Sequence, residues 1–205
     1  MNPSSPEGGK DPFWAPASVV GLSGFGMTTM VAGVAIASNG AHWGVSNSAV
    51  FPMAMAFGGT AQAIAGAIML RRGEIFPGSA FLGFGAFWWA FTLLLSNLLA
   101  PAMGASSLAP YDVMWFMIVW GMFAFSFAIN AHYHGPAIMF VFWTLVLAFV
   151  LLAVDFGLTG AGKTPSVGLW EATGIVTFLS GGGAWYAATA TLTAAHHGGK
   201  KVLPY

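Results

Sequence analysis

His132 and His134 flank Tyr133, and His196 and His197 stand side by side near the C-terminus. Such pairs can hold a metal when further ligands converge on the same point. No carboxylate cluster at helical spacing accompanies either pair, and both fall at turn or terminal positions. Surface or interfacial histidines are therefore the better reading, and proton handling at one mouth of a pathway is the functional variant. Asp112, Asp155 and Glu171 stand at the ends of apolar stretches. Near a helix N-terminus, Asp112 and Glu171 are stabilised by the helix dipole. Gly181-Gly182-Gly183 lies inside an apolar run and lacks the Lys of a phosphate-cradling loop, so it reads as close helix approach or local unwinding beside a cavity. No Ser/His/Asp arrangement occurs. The residues therefore predict no enzyme, no cofactor and no metal. A membrane metalloenzyme is the most distant reading.

What remains is polar but uncharged: Thr28, Thr29, Gln62, Thr92, Ser96, Asn97, Ser126, Asn130, Thr144, Thr173, Thr177 and Ser180. Groups of this kind can replace part of a small solute's hydration without trapping it, which is what a transport path requires. A path free of buried charge also argues against a retinal-type pump, a voltage sensor or a carboxylate-relay antiporter.

The elements that must position these groups follow from composition. Only 6% of the 205 residues are charged, against about 25% in a soluble domain. Hydrophobic residues make up 57% and the mean hydropathy is +0.76, so the chain cannot cover itself in water with polar groups. A soluble enzyme, a nucleic-acid binder and a disordered chain are excluded. There is no cysteine, hence no disulfide framework. Six stretches approach the roughly 20 apolar residues that cross a bilayer: 19–38, 50–70, 79–99, 113–131, 136–154 and 169–194. Their apolar runs are continuous, not alternating, which argues against a β-barrel. The fold class is thus an all-α membrane protein of six transmembrane helices. Residues 1–15 form a Pro/Gly/Ser-rich tail expected to be disordered, 16–197 the transport domain, and 198–205 a short C-terminal tail. The first residues do not look like a cleaved signal peptide.

An even number of spans puts both ends on one side, with Lys10, Arg71, Arg72, Lys200 and Lys201, and leaves only Lys163 on the other. Both termini are therefore expected in the cytoplasm. Trp43, Trp88, Trp89, Trp115, Trp170 and Trp185 mostly read as an interfacial belt. In the second span Gly58, Gln62 and Gly66 form one row and Gly59, Ala63 and Ala67 an adjacent one, a close-packing face. Gln62 on that face is either an interhelical hydrogen-bonding group, which spacing slightly favours, or a pore-lining amide. Spacing does not say whether such faces meet within or between subunits.

Two stretches carry a resemblance. One is Gly21-Leu22-Ser23-Gly24-Phe25-Gly26-Met27-Thr28-Thr29. The other is Phe57-Gly58-Gly59-Thr60-Ala61-Gln62-Ala63-Ile64-Ala65-Gly66, continued by Arg71-Arg72-Gly73, Ser79-Ala80-Phe81 and Gly85-Ala86-Phe87-Trp88. Together they resemble the acetate uptake transporter family, the succinate–acetate permeases. The likeness runs from about Pro16 to Pro204. The family's usual opening motif survives only as Gly21-Leu22, and Met69 and Glu74 stand where the family often has Glu and Asn. The resemblance implies six helices around a solute path, a cyclic hexamer, and an apolar constriction at Phe25, Phe84 and Leu145. It also implies a substrate-size position at Ala184. Phe84 stands where the family often has Tyr, which leaves that constriction without a hydroxyl. Thr28, Thr29, Gln62, Asn130 and Thr144 are the candidate polar lining.

The implied substrate is a small carboxylate such as acetate, and succinate in addition. A simple carboxylic acid titrating near about 4.3 is anionic at neutral pH. An inside-negative potential of 100 mV opposes its entry by about 2.3 kcal/mol. With no mid-membrane carboxylate expected, a channel-like or loosely coupled path is favoured, and proton coupling is the competing mechanism. The alternatives are a conduit for a small neutral solute or ammonium, and a non-transporting membrane sensor or scaffold.

Overall fold

A computed structural model describes residues 17–96 and 108–204. The expected tail 1–15, with Lys10, and the expected interior polar residue Asn97 lie outside the described residues. Six long helices carry the chain: α1 Ser18–Ala41, α2 Val50–Arg71, α3 Ile75–Leu95, α4 Pro110–Ala128, α5 Pro136–Gly160 and α6 Val167–His196. No strand occurs among the described residues. Local chemistry explains the boundaries. Pro110 and Pro136 open α4 and α5, where the missing N–H has no intrahelical partner to lose. The Ser166 side chain accepts a hydrogen bond from the Leu169 N–H at 3.2 Å and caps α6. Gly135 before α5 has φ 99°, a conformation that a side chain would strain.

Helices α1 to α5 are each long and apolar enough to cross a membrane. The sixth, although the longest, falls short on hydropathy, because Gly, Ala and Thr replace larger apolar residues. Those small residues serve packing. Helices α1 and α6 make the most extensive pairing in the molecule. Gly26, Gly33 and Gly40, seven apart on α1, lie against the backbone of α6 at Gly181, Gly174 and Val167, also seven apart. Helix backbones can touch only where no Cβ intervenes.

The expected glycine face of α2 also packs inside the protomer. Gly66 lies on the α3 backbone at Gly78 and Leu82, and Gly85 of α3 meets Gly59 and Ala63. Within α2, Ala54–Ala61 is wound as a π-helix between two α-helical pieces. Met55 C=O accepts hydrogen bonds from the Thr60 hydroxyl at 2.7 Å and from Trp89 Nε1 at 3.1 Å. Outside, α4 and α5 present a broad apolar surface including Trp115, Val119, Met122, Phe125, Leu147 and Val150.

Several expectations are corrected. The fifth helix continues to Gly160, so Asp155 is not at a loop boundary. It is an interior helical residue with no exposed surface. The apolar pattern resumes after it at Phe156 and Leu158, and Thr173 of α6 partners its side chain, which lets the helix carry a carboxylate inward. Trp88 does not belong to an interfacial belt. Helix α3 starts earlier than expected, which puts Trp88 deep in the helix at 3% exposure. Trp89 remains partly exposed, at 41%, while its indole N–H donates to the Met55 carbonyl. Gly181-Gly182-Gly183 does not unwind α6.

Candidate functional site

Two apolar-walled cavities lie in line along the bundle and meet at two phenyl rings. The larger, about 310 Å³, opens at the end that carries the start of α1, the α2–α3 and α4–α5 turns and the end of α6. Its walls include Leu22, Gln62, Phe76, His134, Phe142 and Thr191. The smaller, about 30 Å³, has Thr29, Trp88, Leu145, Phe149, Leu152 and Thr177 in its walls. That is about the share of one water molecule in the liquid. Phe25 and Phe84 line both. Their rings meet edge-to-face with centroids 5.7 Å apart. Helix α5 crosses this level between Phe142, which lines the large cavity, and Leu145, which lines the small one.

Phe84 is held rigidly. Its ring is 2% exposed and packs on Phe123 at 5.2 Å, on Phe142 at 6.1 Å and on Phe127 at 6.2 Å, as well as on Phe25. Offset and edge-on aromatic pairs of this kind are favourable beyond their buried area. Phe25, Phe84 and Leu145 all line the small cavity, and all three are buried.

The polar residues divide. Gln62 lines the large cavity, is almost fully buried, and its Oε1 accepts no hydrogen bond. Thr28 is buried with its hydroxyl unpartnered, and so is the Trp88 indole N–H. Both sit against Gly58, since a Cβ there would be 2.8 Å from Thr28 Oγ1 and 2.8 Å from Trp88 Cδ1. Leaving buried polar atoms unpaired costs stability. Gln62 lines the large cavity and Trp88 the small one, while Thr28 lines neither. Thr29 lines the small cavity, with its hydroxyl donating to Phe25 C=O at 2.6 Å. Asn130 and Thr144 line neither cavity. The exposed Asn130 amide donates to Ser126 C=O, and the Thr144 hydroxyl donates within its own helix. Ala184 has no exposed surface and belongs to the apolar cluster around Phe25, Phe84 and Leu145 without lining either cavity.

At the mouth of the large cavity stands an exposed turn residue, as spacing suggested. His134 lines that cavity and stacks on Phe76 with ring centroids 3.8 Å apart. Burial pushes its pKa below the ordinary 6.5. His132, two residues before, turns away to accept a hydrogen bond from Trp143 Nε1 at 3.3 Å. Glu74, also at the mouth, pairs with Arg72 at 3.1 Å. No group of three or more potential metal ligands occurs among the described residues.

Known proteins match this chain in sequence and in fold. The profile of the GPR1/FUN34/yaaH family matches residues 2–198. An uncharacterized protein of Methanothermobacter thermautotrophicus is 30% identical over 190 residues, covering 90% of this chain and 88% of that protein. The succinate-acetate/proton symporter SatP of Escherichia coli is 28% identical over 136 residues, 66% of this chain and 69% of that one. A solved structure of the bacterial acetate channel SatP superposes with a TM-score of 0.79 at 26% identity, covering 93% of this chain and 98% of that chain.

Proposed function

The chain belongs to the GPR1/FUN34/yaaH family, and from that premise we propose that it moves acetate and similar small carboxylates, succinate included, across a membrane. The relatives named for succinate–acetate symport and for an acetate channel support this substrate class. The observation that carries the reading is the Phe25–Phe84 contact between two in-line cavities. An apolar neck of this kind gates by dewetting. A carboxylate that reaches it meets uncharged hydrogen-bonding groups at Thr28, Gln62 and Trp88, which replace water without a fixed counter-charge. Phe25, Phe84 and Leu145 form the constriction, and Ala184 behind them limits the size of what passes.

The path resides in one multi-pass protomer of a homo-hexamer in the cytoplasmic membrane. Arg71, Arg72, Lys200 and Lys201 lie at one end of the bundle and Lys163 at the other, which supports placing both termini in the cytoplasm.

Purified protein reconstituted into sealed vesicles takes up labelled acetate faster than protein-free vesicles, and unlabelled succinate competes. Vesicles with correctly inserted protein and no acetate flux above the lipid background overturn the proposal. So does saturable methylammonium flux that acetate does not inhibit, which would make the chain a conduit for a cationic or neutral solute.

A further inference from the structure

Asp155 is the one carboxylate of the described residues placed inside a long apolar helix with no exposed surface. Its Oδ2 accepts a hydrogen bond from the Thr173 hydroxyl at 2.7 Å, and its Oδ1 has no hydrogen-bond partner. An ionisable side chain within a membrane bundle is expensive to keep and marks function by default. Its position relates it to the pathway. Leu152, three residues before Asp155, and Thr177, four after Thr173, both line the small cavity beyond the neck. At 1.5 Å per residue the Asp155–Thr173 pair stands about 5 Å further along the helices than that cavity wall, one helical turn away.

The pair can satisfy two protonation states without moving a heavy atom. A threonine hydroxyl has one proton and also accepts. Here Thr173 Oγ1 lies 2.7 Å from Asp155 Oδ2 and 2.8 Å from Leu169 C=O. With Asp155 ionised, Thr173 donates to the carboxylate. When a proton arrives on Oδ2, the new O–H donates to Thr173 Oγ1, which swings its own proton to Leu169 C=O. When the proton leaves, the hydroxyl swings back. Other charged or titratable groups on the surrounding elements stand apart. His42, Tyr111, Asp112 and Lys163 are exposed, Glu171 is half-buried, and none bonds to Asp155. Glu171 is two residues from Thr173, a spacing that points the two side chains away from each other.

We propose that the Asp155–Thr173 pair is the proton-carrying site of this transporter, loading and releasing one proton per carboxylate moved. The inference rests on the carboxylate-transport reading. It is tested in vesicles with the potential clamped by potassium and valinomycin. Labelled acetate uptake and internal pH are followed together and corrected for protein-free vesicles. The readout is protons per acetate, so a change of rate alone does not imitate the effect.

Wild type carries close to one proton per acetate, and Asp155→Asn lowers the ratio at least several-fold while an acetate-dependent current appears. An unchanged ratio in Asp155→Asn overturns the assignment. If that variant does not fold, Thr173→Val keeps the carboxylate and removes its switching partner. It is expected to displace the pH profile of the ratio, and an unmoved profile overturns the proposal. Wild-type acetate flux without protons overturns this inference and leaves the conduit intact. Absence of acetate flux overturns the conduit itself.

Discussion

Replacing Gly26 by alanine tests how the neck is held. Gly26 follows Phe25 and lies where α1 touches α6. A Cβ at this position would fall 2.7 Å from Gly181 C=O and 2.7 Å from the Trp185 N–H nitrogen, about 0.7 Å inside ordinary contact at 3.4 Å. Both atoms are backbone, so no rotamer relieves the overlap and the two helices must separate. Overpacking of this kind costs about 1–3 kcal/mol. For a chain of this length each kcal/mol moves Tm by roughly 2–4 °C, so Gly26→Ala should lower Tm by roughly 2–12 °C. Gly182 provides the control in the opposite helix. A Cβ there meets nothing within 4 Å, and a helical Gly→Ala change gains about 1 kcal/mol, so Gly182→Ala should raise Tm by roughly 2–4 °C. Thermal unfolding in detergent, followed by tryptophan fluorescence, separates the two. Since Phe25 rides on the displaced backbone, Gly26→Ala should also admit carboxylates larger than those wild type passes. Equal melting temperatures for the two variants would refute the backbone-contact argument.

Further variants probe the site itself. Phe84→Ala removes the ring that separates the two cavities. It should let benzoate through vesicles from which wild type excludes it, at a stability cost of about 3–5 kcal/mol that calls for assay at low temperature. Burial lowers the His134 pKa below 6.5, so between the folded and unfolded values the unfolded chain binds more protons and stability falls as pH drops through that window. His134→Phe keeps the stack on Phe76 and should flatten that loss, which melting at pH 7.5 and 5.0 measures. Trp89→Phe removes the indole bond to Met55 C=O. The Thr60 hydroxyl still satisfies that carbonyl, so the loss should be about 0.5–1.5 kcal/mol, a Tm decrease of roughly 1–6 °C.

The helices were legible because lipid imposes a one-dimensional rule: long uncharged runs between polar turns. The same rule reached α6 at 169–194, but it does not explain how a helix that serves the protein instead of the lipid is composed. Helix α6 has weak hydropathy because Gly174 and Gly181 trade apolar area for backbone contact with α1. Helix α5 extends past its expected end because Asp155 hides from lipid against Thr173. Both features are contacts between helices, α6 with the distant α1 and α5 with its neighbour α6, which a reading of one stretch at a time does not see.

Phe25, Phe84 and Leu145 were singled out only through motif context, since a lone phenylalanine in an apolar run is indistinguishable from core. Periodicity placed Gln62 on a packing face but could not say what that face lacks. Whether an amide is satisfied depends on what two other helices bring to it, and here its Oε1 receives no donor. The same holds for Thr28 and Trp88, which both lie against Gly58, where a Cβ would have no room. His134 is the exposed turn residue that spacing suggested, and the structure adds the stack of its ring on Phe76 of α3. Asn130 and Thr144, chosen by residue type, spend hydrogen bonds on nearby backbone, Asn130 on the last turn of α4 and Thr144 within α5. A polar side chain becomes available to a solute when the fold leaves it without a partner, and that is a property of three helices together. Removing the room should therefore abolish the site even with every polar residue kept. Gly58→Val, which fills the gap between Thr28 and Trp88, should impair acetate flux more than Asn130→Ala or Thr144→Ala, and the reverse order would show that the unpartnered groups are not in the path.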